Sequence, residues 1–187
     1  SHELRTPVSV IMANSETLVD GALDDKKQSK VFAKAILHNA ERLSDMVSSL
    51  LDLSRIDYGE LKLNIEELPI NEHINKAIDS LKNLGKRKNI SIMCSCSKRK
   101  IVLADKNALE RILNNLIENA FKCSDSQSTI NISTKKVKDH LEISVKDSGR
   151  GIPDEEQDFL FDRFYRTAEA RATEEKGSGL GLAIVKN

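Results

Sequence analysis

The stretch FAKAILHNAERLSDMVSSLLDL, residues 32–53, decides the fold of the N-terminal part of this chain. Seven of its positions follow one another at alternating steps of four and three residues, and all but one are apolar. This heptad-like spacing predicts a long helix, from Lys27 to about Asp57, with a narrow apolar seam along one side. The seam residues are Phe32, Ile36, Asn39, Leu43, Met46, Leu50 and Leu53.

A second amphipathic helix is predicted before this one. Residues 2–20 carry Leu4, Ile11 and Leu18 at steps of seven, and GALDDKK at 21–27 predicts a turn. The two helices form an all-α hairpin with little core of its own, so we expect two copies to pair into a four-helix bundle. The alternative is that the hairpin packs on the remainder of its own chain.

Beyond the hairpin the sequence mixes strand and helix periods. RIDYGELKLNIEELP at 55–69 predicts a break and then a short strand, and Pro69 predicts the start of a helix that reaches about Gly85. NISIMCSC at 89–96 alternates with period two, and KIVLAD at 100–105 is a short apolar run, so both predict strands.

Helix and strand signals continue to the end of the chain. Asp105 predicts the N-cap of a helix reaching about Lys122, and residues 128–149 predict a hairpin of two strands that turns near Lys138. These elements predict an α+β two-layer sandwich, an open sheet with helices on one face. The fold class is therefore multi-domain, with a helical hairpin at 1–58 and the sandwich at 62–187.

The composition limits the partners of the chain. Basic and acidic residues number 29 each, which indicates neither a nucleic-acid partner nor an anionic membrane surface. No apolar run approaches the roughly 18 residues that span a bilayer, so we expect no membrane contact from this segment. Because the chain begins one residue before His2 and stops within GLAIVKN at 181–187, we expect a piece of a longer protein, truncated at its C-terminus.

The three cysteines predict no metal site. Cys94 and Cys96 form a C-x-C pair without a neighbouring histidine or further cysteine, which is a poor zinc site, and Cys123 stands alone. We expect all three to be reduced thiols in a cytosolic domain.

The first cluster with chemical potential is NNLIENAFK at 114–122. Asn115 and Asn119 are four residues apart on one face of the predicted helix, and Lys122 follows on the same side. Two amides beside an ammonium suit a triphosphate with Mg²⁺, which prefers oxygen ligands. A solvated helix face explains the same residues.

The second cluster is DSGRGIP at 147–153, directly after a predicted strand. Asp147 can accept a hydrogen bond from an exocyclic amine such as that of adenine. Gly149 and Gly151 allow the backbone to pass close to a planar ligand, although a plain turn explains these glycines equally well.

Two more clusters lie near the C-terminus. FDRFYR at 161–166 offers two phenylalanines that anchor the segment and two arginines, Arg163 and Arg166, one of which can reach a phosphate. GSGLGLAIV at 177–185 places Gly177, Gly179 and Gly181 at a helix start, where backbone N–H groups bind anions. The polar stretch TAEARATEEK at 167–176 predicts a mobile lid between them.

These clusters, in this order and together with SHELRTP at 1–7, resemble the transmitter region of a sensor histidine kinase of two-component signalling over nearly the whole chain. The resemblance implies ATP-dependent autophosphorylation, transfer of the phosphoryl group to an aspartate of a response regulator, and phosphatase activity toward that regulator. It also implies a homodimer, held by the hairpin, that forms the cytoplasmic portion of a membrane-anchored bacterial protein.

The resemblance assigns roles at the N-terminal motif. His2 matches the phosphorylated histidine, Glu3 its proton acceptor, and Thr6 the hydroxyl that orients a water for dephosphorylation of the regulator. Pro7 removes a helical hydrogen bond and is expected to loosen the turn around His2. The other reading of His2 is a surface histidine near a fraying helix end, and His38, His73 and His140 are expected to be surface residues.

The resemblance also assigns the ATP site. Asn119 matches the Mg²⁺ ligand, Asn115 and Lys122 lie beside the phosphates, and Asp147 matches the adenine-reading aspartate. One departure is Cys123, where the family often has an aromatic side chain that stacks on adenine. The implied ATP-binding residues are Asn115, Asn119, Lys122, Asp147, Gly149, Gly151, Arg166, Gly177, Ser178, Gly179, Leu180 and Gly181.

Two rival functions stay open from the sequence. One is a nucleotide-binding scaffold that phosphorylates nothing, which the intact SHELRTP and glycine motifs disfavour and the departure at Cys123 keeps open. The other is a chaperone or topoisomerase relative with the same ATP-binding fold, which the hairpin and its histidine motif disfavour.

Overall fold

The computed structural model describes residues 2–96, 100–172 and 177–186. The chain divides into two compact units, Ser1–Tyr58 and Gly59–Asn187. No helix within the described ranges is long and apolar enough to cross a membrane.

The first unit is a helical hairpin. Helix α1 spans His2–Thr17, a π-helical turn spans Leu18–Ala22, and helix α2 spans Lys26–Asp57. All seven predicted seam residues of α2 are buried or half-buried, which confirms the heptad interpretation. The regular first helix ends earlier than the predicted residue 20, because the chain loosens into the π turn and Gly21 adopts a φ of 122°. Asp25 caps α2 by accepting from two backbone N–H groups.

The described residues of the second unit form five strands. They are β1 (Ile65–Pro69), β2 (Ser91–Ser95), β3 (Ile101–Asp105), β4 (Thr129–Val137) and β5 (His140–Lys146). The sequence predicted one open sheet, but the ladders among the described residues form two. In one sheet β1 pairs antiparallel with β3, and in the other β4 lies between a parallel β2 and an antiparallel β5. The turn between β4 and β5 falls at Lys138, as predicted.

The same described part of the unit contains the helices α3 (Ile70–Lys88), α4 (Lys106–Cys123), α5 (Asp154–Gln157), α6 (Ala168–Ala172) and α7 (Gly181–Lys186). The long helices α3 and α4 bury their apolar faces with residues of the strands in one core. The fully or nearly fully buried members of that core include Ile70, Ile74, Leu113, Ile117, Phe121, Ile130 and Ile132.

Helix α3 runs past Gly85, where the sequence predicted its end. A Cβ at Gly85 would lie 2.6 Å from Cε1 of Phe121, so this glycine lets α3 approach α4 closely instead of ending the helix. The helix ends at Lys88, and the left-handed residue that follows it is Asn89, with a φ of 51°. Asparagine is the other residue that accepts this conformation at a helix end.

Helix α4 is fixed at its N-terminus by Asp105, as predicted. Its Oδ1 accepts from the N–H of Ala108, and its Oδ2 accepts from the N–H of Asn64, each at 2.9 Å. The hydrogen bond from Ala108, followed by the one from Asn64, holds the pKa of this carboxyl below its usual value. The capped helix then presents its second half to the loops described next.

Candidate nucleotide-binding site and phosphoacceptor motif

Asn115 joins α4 to the start of α7. Its Nδ2 donates to the Arg111 carbonyl at 2.9 Å, which orients the amide. A Cβ at Gly181 would lie 2.7 Å from Asn115 Oδ1, so any larger residue here would have to displace the end of the Asn115 side chain. The glycine-rich segment and the α4 amide, predicted to share one site, are therefore direct neighbours.

Asn119 and Lys122 lie further along α4. Asn119 is half-buried, and within the described ranges its amide makes no hydrogen bond. Lys122 Nζ pairs with Glu118 Oε1 at 2.8 Å along the same helix. The Asn119 amide oxygen is thus available to a ligand, whereas Lys122 is engaged by a carboxylate one turn away.

The Asp147 loop lies against the C-terminal end of α4. Asp147 Oδ1 accepts from the N–H of Gly149 at 2.9 Å, and Ser124 forms an antiparallel bridge with Gly149. A Cβ at Gly149 would lie 2.2 Å from the Cys123 carbonyl oxygen, which excludes any other residue without a shift of the backbone. Gly149 is therefore required for this contact. From the sequence alone, a plain turn explained this glycine equally well.

Lys88 holds the same end of α4 from the other side. Its Nζ donates to the carbonyls of Lys122 at 2.7 Å, Ser124 at 3.0 Å and Phe121 at 3.3 Å. These three bonds use all three hydrogens of the ammonium and satisfy carbonyls at the helix C-terminus. The sequence analysis missed this residue, because the carbonyls lie more than 30 residues away along the chain.

The FDRFYR and GSGLG segments are joined through their backbones. The N–H of Phe164 donates to the Gly179 carbonyl at 2.9 Å. A Cβ at Gly179, whose φ is +69°, would lie 2.7 Å from the carbonyl carbon of Phe164. Leu180 is fully buried directly after it, and its N–H donates to Ser178 Oγ at 3.3 Å. The FDRFYR and GSGLG segments, although separated in sequence, are therefore in direct contact.

In this structure Arg166 bonds to the segment that follows it. Its Nη2 donates to the Ala170 carbonyl, while its own carbonyl accepts from Arg171 Nε at 3.0 Å. The predicted lid begins with α6, which is tied to the Asp147 loop by an ion pair of 2.9 Å between Arg150 and Glu169. Residues 173–176 of that lid lie outside the described residues.

Gly151 and Gly177 border open space. A Cβ at either position would meet no atom within 4 Å, and Gly151 has a φ of +76°. Gly149, Gly179 and Gly181 lie close to other parts of the chain, whereas a Cβ at the exposed Gly151 or at the half-buried Gly177 would have space around it.

The N-terminal motif lies in α1. His2 is the first residue of this helix, and its side chain is outside the described part of the chain. Glu3 Oε2 lies 3.9 Å from Nη2 of Arg42 on α2, and Thr6 is exposed. Pro7 is fully buried inside a helix that continues through it, so the expected loosening of this turn is not visible as a break.

His73 is buried, contrary to the expectation of a surface residue. Its Nδ1 lies 3.4 Å from Glu110 Oε1, and Lys76 Nζ binds the same oxygen at 2.8 Å. That bond from Lys76 is the main reason why the pKa of Glu110 is lowered. His38 and His140 are exposed as expected, and the described residues contain no cluster of histidine, cysteine and carboxylate side chains that could hold a metal.

Two protein-family models match the chain. The His Kinase A (phospho-acceptor) domain matches residues 1–59, and the Histidine kinase-, DNA gyrase B-, and HSP90-like ATPase matches residues 104–187. The first match covers the helical hairpin and the second covers the part of the second unit that contains the four predicted nucleotide-site motifs.

Individual relatives match the chain over its whole length. The chain is 37% identical over its whole length to the sensor-like histidine kinase SenX3 of Mycobacterium tuberculosis, of which it covers 45%. It is 34% identical to the sensor histidine kinase WalK of Bacillus subtilis, again over its whole length, and covers 31% of that protein. The chain therefore spans less than half the length of these relatives.

A solved structure shares the fold. The histidine kinase AdeS of Acinetobacter baumannii superposes with a TM-score of 0.82 at 27% identity, and the match covers 99% of this chain and 84% of that one.

Proposed function

We propose, since this chain belongs to the sensor histidine kinases and corresponds to their transmitter region, that it binds ATP with Mg²⁺ and transfers the γ-phosphoryl group to His2. The proposal that this chain binds a nucleotide rests on two contacts with α4. The Asn115 amide lies against Gly181, and the Asp147 loop lies against Cys123 and Ser124. Three motifs far apart in sequence thereby border one region.

Asp147 is the residue proposed to read adenine. Its Oδ1 is held by the Gly149 N–H, and among the described residues its Oδ2 accepts no hydrogen bond. A carboxylate fixed in this way can accept from the exocyclic amine of adenine. Backbone N–H groups of 177–181 are proposed to bind the phosphates, and the N–H of Leu180 would first have to leave Ser178 Oγ, to which it donates at 3.3 Å.

Asn119 is proposed to hold the Mg²⁺. The fit rests on a half-buried amide without another hydrogen bond in the described ranges, because amide oxygens are hard ligands that suit this ion. When bound, Mg²⁺ would neutralise charge on the phosphates. Lys122 can add a positive charge only by leaving Glu118, from which its Nζ is 2.8 Å away.

His2 is the proposed phosphoacceptor. A neutral imidazole nitrogen attacks the γ-phosphorus, the N–P bond forms, the bond to the bridging oxygen breaks, and ADP leaves. The proton on the other ring nitrogen goes to Glu3, the adjacent carboxylate. Arg42, 3.9 Å from Glu3, limits where this carboxylate can turn.

Labelling with γ-labelled ATP and Mg²⁺ tests this proposal. We expect label that is lost in acid and kept in base, as a phosphoramidate requires, and no label in His2→Gln. The matched controls are His38→Gln and His140→Gln, which remove exposed histidines and should label as the native chain does. Label that persists in His2→Gln would contradict the assignment, and ATP hydrolysis without any protein label would favour the chaperone-like alternative.

The phosphoryl group is proposed to pass from His2 to an aspartate of a response regulator, because a P–N bond is reactive enough to serve as a relay. Thr6, exposed and four residues after His2, is proposed to orient water when the phosphorylated regulator is hydrolysed. Thr6→Ala should therefore keep self-labelling and lose dephosphorylation of the regulator. Equal loss of both activities would assign Thr6 a structural role.

A homodimer through the hairpin is also proposed, within the cytoplasmic portion of a membrane-anchored protein. The support is a set of large apolar side chains that the hairpin of one copy leaves exposed, from 39% at Val8 to 61% at Val31. Light scattering of the purified chain should give twice the monomer mass. The apolar side chains meant here are Val8, Met12, Val31, Leu37, Val47 and Leu51.

A further inference from the structure

We propose that Cys94 and Cys96 form a redox-active dithiol that closes to a disulfide under two-electron oxidants. The proposal rests on the distance between the two sulfurs: Cys94 Sγ lies 2.6 Å from Cys96 Sγ. A disulfide bond is about 2.05 Å long, so the two atoms are already oriented toward one another. This inference does not depend on ATP binding.

The backbone around the pair is compatible with closure. Cys94 pairs with Ile132 in the parallel ladder of β2 and β4, Ser95 is the last paired residue, and Cys96 lies just beyond it. Residues two apart on a strand share a face, and two strand steps separate their Cα atoms by about 6.6 Å, within the range that disulfides span. Because Cys96 follows the ladder, it can move without breaking a β2–β4 pair.

The two thiols differ in environment, which gives them different parts in the reaction. Cys94 is exposed and borders an open groove of 840 Å³ between α3 and β2, where an oxidant can reach it. Cys96 is half-buried, and burial, followed by its hydrogen bond to Cys94, raises the pKa of its thiol to about 12. Cys94 is therefore the attacking sulfur and Cys96 the resolving one.

With a peroxide as oxidant the reaction balances in two steps. The Cys94 thiolate attacks one peroxide oxygen, the O–O bond breaks, and a sulfenic acid and hydroxide form. The Cys96 sulfur then attacks the sulfenic sulfur, the S–O bond breaks, and the thiol proton leaves with that hydroxyl as water. Two thiols and one hydrogen peroxide give one disulfide and two waters, and a dithiol reductant reverses the change.

The sequence offers a direct readout. Trypsin cleaves after Lys88 and Lys98, so Cys94 and Cys96 fall in one peptide, NISIMCSCSK, residues 89–98. Cys123 falls in a separate peptide at 123–135. The reduced chain is treated with hydrogen peroxide while circular dichroism follows its fold, its remaining thiols are blocked with N-ethylmaleimide, and the peptides are weighed.

We expect the oxidised chain to take up one label in place of three, with peptide 89–98 unlabelled and about 2 Da lighter. Dithiothreitol should restore all three labels, and Cys123→Ser should still form the light peptide. Cys94→Ser and Cys96→Ser should each lose it. Three labels after oxidation, a cross-link between peptides 89–98 and 123–135, or oxygen addition without the 2 Da loss would each overturn the proposal.

Discussion

Gly149→Ala tests the packing that positions the Asp147 loop. The new methyl carbon would lie 2.2 Å from the Cys123 carbonyl oxygen and 3.0 Å from Asp147 Oδ1, while φ at this position is not in the left-handed region. The cost is therefore steric, and because the closer atom belongs to the backbone, the loop must move. Overpacking of this kind costs about 1–3 kcal/mol. In a domain of this size we expect a fall in melting temperature of about 3–5 °C for each kcal/mol.

Thermal unfolding followed by circular dichroism measures this cost. Gly177→Ala is the matched control for stability, since its methyl group meets nothing within 4 Å and should leave the melting temperature nearly unchanged. Gly149→Ala should also weaken ATP binding at a temperature where it is folded, because Asp147 loses the N–H that orients it. The steric argument is refuted if both variants melt together and Gly149→Ala binds ATP as the native chain does.

Three further substitutions test other contacts. Lys88→Met should lower the free energy of unfolding by about 1.5–3 kcal/mol, because charge-assisted bonds to three carbonyls are lost. The control Lys86→Met should not lower it. Equal urea midpoints for the two variants would contradict this prediction. Asp105→Asn should lower the free energy of unfolding at pH 7, because the lowered pKa of the native carboxyl stabilises the fold there. The difference in free energy from the native chain should shrink as the pH falls from about 5 through the folded-state pKa. A difference that does not depend on pH would contradict this role of Asp105. Gly181→Ala should cost less than Gly149→Ala in the same urea assay, because its methyl group meets the movable Asn115 side chain, and a larger cost would show that this side chain cannot give.

Local chemistry and periodicity explain what the sequence predicted well. The heptad steps placed the buried side of α2, and Asp105 was identified as a cap because its oxygens must satisfy N–H groups at a helix start. The order of the motifs identified the family, which the two family models confirm. The cap and the periodicity are signals within one segment, and the family assignment adds only the order of such local motifs along the chain.

Contacts between distant segments could not be predicted in the same way. Gly85 was taken for a helix end, although its role is to admit Phe121 from α4, 36 positions along the chain. His73 was taken for a surface residue, because nothing in its neighbourhood in sequence indicates that Glu110 lies beside it. The bond between Phe164 and Gly179 likewise depends on how two loops meet, which periodicity does not encode.

The central claim is that α4, the Asp147 loop and the glycine-rich segment hold a nucleotide, and calorimetry tests it most directly. Titration of ATP with excess Mg²⁺ into the native chain should give saturable heat with one site per chain. Asp147→Asn, in which an acceptor oxygen can be replaced by an NH₂ group, should bind about 10- to 100-fold more weakly, as expected for a lost hydrogen bond to a charged group. A folded native chain that gives no heat, or an Asp147→Asn variant that binds equally well, would contradict the account.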